Sequence, residues 1–189
     1  RVLVECALMV AIGTVLANIK IFTMPNGGSV TLLSMLPFVL VSFRHGVKWG
    51  LFTGFVNGCL QMLLGFWAPP TPTFIYFLGE ILLDYLVAFT PLGLAGLFKG
   101  KKWGIFVGTV VGCLGRFVVH YISGVTIYKI LAPTEFMKWT FTSPSAYSLV
   151  YNGSYMLPNT IIALVIAAVT AAGLYKKAWL PEKKWSPNT

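Results

Sequence analysis

Long apolar segments, separated by short polar breaks, constrain the fold of this 189-residue chain more than any other feature. A helix needs about 20 mostly apolar residues to cross the hydrocarbon core of a bilayer. Six segments approach or exceed that length: residues 2–19, 29–43, 47–66, 73–98, 103–130 and 147–175. Charged residues make up only 10% of the chain, whereas soluble domains contain about 25%. We therefore predict an all-α integral membrane protein, a bundle of six transmembrane helices that forms one domain over residues 1–189.

Basic residues are unequally distributed between the two sides of this predicted bundle. If the N-terminus is cytoplasmic, the outer segments contain Lys20, Lys129 and Lys138. The inner segments contain Arg1, Arg44, Lys48, Lys99, Lys101, Lys102, Lys176, Lys177, Lys183 and Lys184. Cytoplasmic loops carry the excess of Lys and Arg, so we expect both termini to be cytoplasmic. The bases lie in short groups between apolar runs rather than on one polar face, which argues against a nucleic-acid partner.

Two acidic residues, Glu80 and Asp84, lie inside the fourth predicted span, near its outer end. Their i,i+4 spacing puts both on one face of a helix. A carboxylate at membrane depth costs roughly 3 kcal/mol on insertion scales, so it needs a partner. That partner is a base such as Arg116, a proton or metal ion, or a cationic ligand. Metal binding is the weakest alternative, because no metal-ligand spacing accompanies His120.

Polar and aromatic groups are concentrated in the outer half of the fifth and sixth spans. The groups that could face a common ligand are His120, Gly124, Tyr128, Tyr147 and Asn152. Aromatic faces attract cations, so together with the two carboxylates they predict a flat, positively charged organic ligand. The alternatives are an aromatic belt at the membrane interface and, for Asn152, a hydrogen bond to another helix.

The loop at 132–145 is too long and too aromatic for a simple connector, as is typical of binding loops. It contains Trp139, the tryptophan that we expect to lie nearest the ligand. In the first span, Ala7 and Ala11 put small residues four apart, which allows another helix to approach closely. This face serves either internal packing or docking of a separate membrane protein.

Nucleotide-binding and catalytic motifs are absent from the printed sequence, including the phosphate loop of ATPases and the HExxH and GxSxG signatures. We therefore expect no enzyme activity, no bound metal and no cofactor.

Six segments carry a family resemblance that covers nearly the whole chain. They are PNGGSVTL at 25–32, RHGVKWGL at 44–51, LDYLVAF at 83–89, LGLAGLF at 92–98, RFVVHYISG at 116–124 and AYSLVYNG at 146–153. The first two resemble the substrate-binding S components of energy-coupling factor vitamin transporters. The other four, which are more specific, resemble the thiamine-specific branch of that family.

The resemblance implies a six-helix bundle in a bacterial plasma membrane that binds one thiamine near its outer face. Asp84 would face the cationic ligand beside Tyr85. Family members often have Glu at the position of Asp84, and since Asp is one methylene shorter, Glu80 would share the charge-pairing role. The first loop has Gly27 and Gly28 where some relatives have an aromatic residue.

Further ligand contacts are implied for the fifth and sixth spans. His120 and Asn152 would hydrogen-bond the ligand, and Gly124 would make room for it. Tyr128 and Tyr147 would stack on the ligand or close over it, although relatives often have Trp at position 128.

The resemblance also implies partners, because S components have no ATPase of their own. They work with a transmembrane coupling protein and two cytoplasmic ATPases, and they reorient in the membrane when ATP is hydrolysed. The Ala7 and Ala11 face would dock the coupling protein. Three alternatives remain: an S component for another vitamin, a stand-alone carrier that uses Glu80 and Asp84 as proton or cation sites, and a scaffold without a ligand. Riboflavin is neutral and biotin is anionic, so neither accounts for the two carboxylates.

Overall fold

The computed structural model describes residues 1–25, 27–71, 73–101 and 103–174. These residues form six helices: α1 (Val2–Asn18), α2 (Leu36–His45), α3 (Val47–Leu64), α4 (Phe74–Phe98), α5 (Gly104–Thr126) and α6 (Pro144–Leu174). The predicted helical membrane fold is confirmed. By length and apolar composition, α4, α5 and residues Pro144–Thr170 of α6 can cross a membrane, and α1 is apolar but shorter.

Two β-hairpins, which the apolar pattern does not predict, connect the helices. The first pairs β1 (Lys20–Thr23) with β2 (Ser29–Thr31), and the second pairs β3 (Thr134–Phe136) with β4 (Trp139–Phe141). Both lie at the same end of the bundle, since they follow the C-terminal ends of α1 and α5. We call these the first and the second hairpin.

The first hairpin corrects the predicted second span, 29–43. Its N-terminal residues form β2, and α2 begins only at Leu36. The turn before β2 contains Gly27 with φ of 85°, a left-handed conformation that glycine adopts without steric cost. The β-branched Val30 and Thr31 then favour an extended strand over a helix.

The second hairpin occupies most of the predicted long loop, so α5 ends at Thr126 rather than at 130 and α6 begins at Pro144 rather than at 147. Phe136 pairs with Trp139, and the two residues between them, Met137 and Lys138, have φ of 53° and 67°. Two consecutive left-handed residues match the right-handed twist of the flanking strands.

Helix α4 departs from regular α-helical geometry on both sides of its middle. Residues Ile81–Leu86 form a wider π-helical turn, and Thr90–Phe98 form a tighter 3-10 helix that contains Pro91. Helix α3 packs directly on this backbone, because a Cβ at Gly54 or Gly58 would overlap the carbonyl groups of α4. These contacts fix the wide turn, which carries Asp84 and Tyr85.

At the end of the bundle opposite the hairpins, charged side chains connect α1 to α2 and α2 to the segment that follows α4. Arg44 Nε lies 2.9 Å and His45 Nε2 lies 2.7 Å from Glu5 Oε2. Lys99 Nζ donates to the carbonyl oxygen of Arg44 at 2.7 Å, and Arg1 Nε is 4.0 Å from Glu5 Oε1. Three of the predicted cytoplasmic bases therefore share one end of the fold. The cytoplasmic assignment of that end stays a prediction, and Lys102, Lys176, Lys177, Lys183 and Lys184 lie outside the described residues.

Candidate functional site

A cavity of about 240 Å³ lies between the first hairpin and the neighbouring ends of the helices. Its wall includes residues of α1, α3, α4, α5 and α6, together with β1 and β2. All eight residues predicted as ligand contacts line it: Glu80, Asp84, Tyr85, His120, Gly124, Tyr128, Tyr147 and Asn152. The fold thus brings together residues that lie up to 72 positions apart in the chain, counted from Glu80 to Asn152.

The Asp84 carboxylate is held by two side chains of α5. Its Oδ1 lies 2.7 Å from Nδ1 of His120, and its Oδ2 accepts a hydrogen bond from the hydroxyl of Ser123. The side chain is only 15% exposed. Both oxygens are therefore fixed in the cavity wall, in the wide turn of α4.

Arg116 reaches Asp84 through His120 and not by a direct ion pair. Its Nε donates to Nε2 of His120 at 3.4 Å. A guanidinium has no acceptor atom, so Nε2 carries no hydrogen in this bond, and Nδ1 is the nitrogen that donates to Asp84. The guanidinium also lies 4.1 Å from the centre of the Phe89 ring. Of the alternatives considered for the carboxylates, a direct ion pair between Asp84 and Arg116 is therefore not formed, and His120 lies between the two.

Glu80 is the most deeply buried acid of the described chain, with 2% of its surface exposed. Its Oε2 atom has no hydrogen-bond partner among the described residues. Asp84 and Tyr128 lie beside it, and the Tyr128 hydroxyl donates to the carbonyl oxygen of Trp67 at 3.4 Å. Since buried polar atoms are almost always hydrogen-bonded, the free Oε2 atom is suited to a ligand group.

Aromatic rings of α6 form a further part of the cavity wall. Tyr147 and Tyr151 stack with ring centres 5.7 Å apart and an angle of 20°, and Tyr155 meets Tyr151 edge-on at 5.9 Å. Phe136 and Phe141 of the second hairpin pack edge-on against Tyr147. The second hairpin therefore supports this aromatic wall.

Tyr85 has a structural contact as well as a place in the cavity wall. Its hydroxyl accepts from the backbone N–H of Trp67 at 2.7 Å and donates to the carbonyl oxygen of Gly65 at 3.1 Å. Its ring stacks on Phe66 at 5.5 Å. Tyr85 thus fixes the loop between α3 and α4 against the site.

Asn152 and Gly124 join α5 to α6. The Asn152 amide nitrogen donates to the carbonyl oxygens of Ser148 at 3.0 Å and His120 at 3.3 Å, and its Oδ1 accepts from the Tyr155 hydroxyl at 2.7 Å. A Cβ at Gly124 would overlap the hydroxyl of Ser148. The interhelical alternative considered for Asn152 is therefore present, and the ligand contacts implied for both residues stay predictions.

Several cavity residues were not identified from the sequence, among them Ser123, Tyr155, Asn159 and Trp67. Ser123 lies three residues after His120 and on its helix face, a spacing that could have identified it. The expectation for Trp139 is wrong: it is 69% exposed on β4 and does not line the cavity, whereas Trp67 does. Within the described ranges, no group of three His, Cys, Asp or Glu side chains is arranged to hold a metal ion.

The predicted docking residues do not line the cavity and lie on the exposed face of α1. Ala7 and Ala11 are both exposed, whereas Cys6, Val10 and Gly13 form the buried face of the helix. Internal packing therefore does not account for the two alanines, and their role in docking stays a prediction.

Comparison with known proteins identifies relatives of this chain. The family model described as "Thiamine transporter protein (Thia_YuaJ)" matches residues 3–178. A thiamine transporter ThiT of Bacillus subtilis (strain 168) is 36% identical, with 87% of this chain and 86% of that protein aligned. A ThiT of Lacticaseibacillus paracasei is 28% identical over 71% of this chain and 69% of its own length. A solved structure of ThiT from Listeria monocytogenes superposes with a TM-score of 0.76 at 23% identity, covering 95% of this chain and 97% of that one.

Proposed function

The chain belongs to the thiamine transporter family, and from this membership we propose that it is the high-affinity thiamine-binding subunit of an ATP-driven importer of the energy-coupling factor type. It is a multi-pass plasma membrane protein for thiamine uptake and not an enzyme. The observation that most directly supports a thiamine-binding subunit is the carboxylate of Asp84. It is fixed in a cavity that also contains the unpaired Oε2 atom of Glu80.

Thiamine presents two chemically different rings, and the cavity offers groups for each. The thiazolium ring has a permanent positive charge on a nitrogen without hydrogen, so it is recognised by negative charge and aromatic faces rather than by a hydrogen-bond acceptor. Asp84 supplies the negative charge, and the stacked Tyr147 and Tyr151 supply the aromatic faces. The aminopyrimidine ring has donors and acceptors, which suit the polar groups of His120 and its neighbours.

The energy for transport would come from partner proteins. The printed sequence has no phosphate-binding loop, so we assign ATP hydrolysis to two cytoplasmic ATPases and their coupling to a transmembrane partner. The exposed Ala7 and Ala11 of α1 would dock that partner, because small residues four apart let two helices approach closely in a bilayer. The loaded subunit would then reorient in the membrane to release thiamine inside.

Equilibrium binding to the purified protein tests the ligand assignment. Titration with thiamine should give saturable binding, and excess riboflavin or biotin should not displace it. Absence of saturable thiamine binding, or equal displacement by riboflavin, would contradict the proposal.

The rival carrier mechanism has a separate test in liposomes that contain this protein alone. A carrier with proton sites at Glu80 and Asp84 would accumulate thiamine under a pH gradient without any ATPase. The proposed mechanism predicts accumulation only after the coupling protein and both ATPases are added with ATP.

A further inference from the structure

Asn159 of α6 binds the backbone of the first hairpin with both ends of its side-chain amide. Its Oδ1 accepts from the N–H of Thr31 at 2.9 Å, and its Nδ2 donates to the carbonyl oxygen of Ser29 at 2.9 Å. The same nitrogen donates to the carbonyl oxygen of Tyr155 at 2.8 Å within α6. The residue is 6% exposed, and it lines the cavity together with Ser29 and Thr31.

The two bonds reproduce the pattern of a neighbouring β-strand. In a parallel pair, one residue donates to the carbonyl before its partner and accepts from the N–H after it. Asn159 engages the groups on either side of Val30 in this way. The opposite edge of β2 is already paired with β1, because the N–H groups of Met24 and Leu32 bond across the first hairpin. Asn159 therefore satisfies an edge that would otherwise present unpaired backbone groups.

The position of this edge determines where the hairpin backbone lies in the cavity. Gly28, one residue before β2, has its N–H bonded to the Tyr151 hydroxyl at 3.2 Å. A Cβ at Gly28 would lie 2.7 Å from the Tyr155 ring, and one at Gly27 would lie 3.2 Å from the Trp67 indole. Both glycines line the cavity. The backbone of the hairpin is thus in direct contact with the aromatic wall of the site.

We propose that Asn159 is a positioning residue of the ligand site, whose side-chain amide acts as a substitute strand that holds residues 27–31 against the cavity. Asn supplies one donor and one acceptor in a planar group, as a peptide does. Asp has only acceptors when ionised, so it would leave the Ser29 carbonyl without a donor and place an anion against it. The part of this proposal that concerns ligand release rests on the proposed thiamine-binding function.

Three purified proteins test the proposal: the parent, Asn159→Ala and Asn159→Asp. Each lost hydrogen bond is worth about 1 kcal/mol, so loss of two should accelerate hydrogen exchange at the Thr31 amide, without ligand, on the order of 10-fold or more. The thiamine dissociation rate should rise by a similar factor, with Asp at least as fast as Ala. The matched control is Thr170→Val, because the Thr170 hydroxyl donates to the Ile166 carbonyl of its own helix at 2.6 Å, about three turns beyond Asn159, and it should match the parent in both rates.

Each of the two measurements, hydrogen exchange and thiamine dissociation, has an outcome that would overturn the inference. Rapid exchange of the Thr31 amide in the parent itself would show that the edge is not held, whichever variants can be purified. Equal dissociation rates in the parent and both Asn159 variants, or a drop in thermal stability alone, would show a merely structural role. Failure of the parent to bind thiamine would contradict the proposed function instead, and the exchange measurement on the hairpin would still decide the role of Asn159.

Discussion

Replacing Asp84 by Asn tests whether the site recognises positive charge. The amide has nearly the same shape as the carboxylate, and its oxygen can still accept from Nδ1 of His120, which lies 2.7 Å from Oδ1 in the parent. Ser123 can rotate its hydroxyl to suit the new group. The substitution therefore removes one negative charge while it preserves the contact between α4 and α5.

The expected loss follows from the burial of the carboxylate. Two unit charges about 5 Å apart attract each other by about 3 kcal/mol at an effective dielectric constant of about 20. This corresponds to a rise in the Kd for thiamine on the order of 100-fold. Intrinsic tryptophan fluorescence or calorimetric titration in detergent measures it. The control is Glu5→Gln, which removes a carboxylate at the opposite end of the bundle and should leave the Kd unchanged.

A neutral ligand distinguishes lost charge from altered shape. A thiamine analogue with an uncharged ring in place of the thiazolium should bind the parent and Asp84→Asn with Kd values within about 2-fold, the margin expected of independent changes. If the substitution weakens the neutral analogue as much as thiamine, the loss comes from packing. If Asp84→Asn binds thiamine as tightly as the parent, charge recognition by this residue is wrong.

Three further predictions concern the reporter, the helix packing and the docking face. Trp67→Phe should abolish most of the fluorescence change on thiamine binding, whereas Trp139→Phe should retain it; the reverse would contradict the placement of Trp67 in the cavity wall. Gly124→Val should lower the free energy of unfolding by about 1–3 kcal/mol through overpacking between α5 and α6, measured by thermal unfolding, whereas Gly153→Ala, which has open space around it, should not. Ala7→Trp should prevent assembly with the coupling protein and leave the Kd for thiamine intact, and loss of both would contradict a role confined to docking.

The charged residues of the site could be predicted because the membrane makes them exceptional. A carboxylate inside an apolar span needs a compensating partner, so Glu80 and Asp84 draw attention without any knowledge of the fold. The four-residue spacing of His120 and Gly124 then gives one face of α5, and Tyr128 follows just after the helix ends. Residues of this kind are recognisable because few other roles would retain them at membrane depth.

The remaining site residues have ordinary alternatives, and so the sequence does not single them out. A serine or asparagine in a transmembrane helix commonly bonds a neighbouring helix, which hides the roles of Ser123 and Asn159. The second hairpin turns at Met137 and Lys138, without the glycine that usually marks such a turn. Whether Trp67 or Trp139 faces the cavity depends on how the α3–α4 loop and the second hairpin pack against the helices. The local periodicity of the sequence does not predict that packing.

The contact of Gly54 and Gly58 with the backbone of α4 has a mechanical consequence. Where two helix backbones touch without intervening side chains, no change of side-chain rotamer can let the helices separate. The wall formed by α3 and α4 is therefore rigid. Helix α6 is attached to the first hairpin by hydrogen bonds that the N–H groups of Gly28 and Thr31 donate to Tyr151 and Asn159, and water can replace these one at a time. The contacts around the cavity therefore differ in stiffness, and those between the first hairpin and α6 are the easier to break.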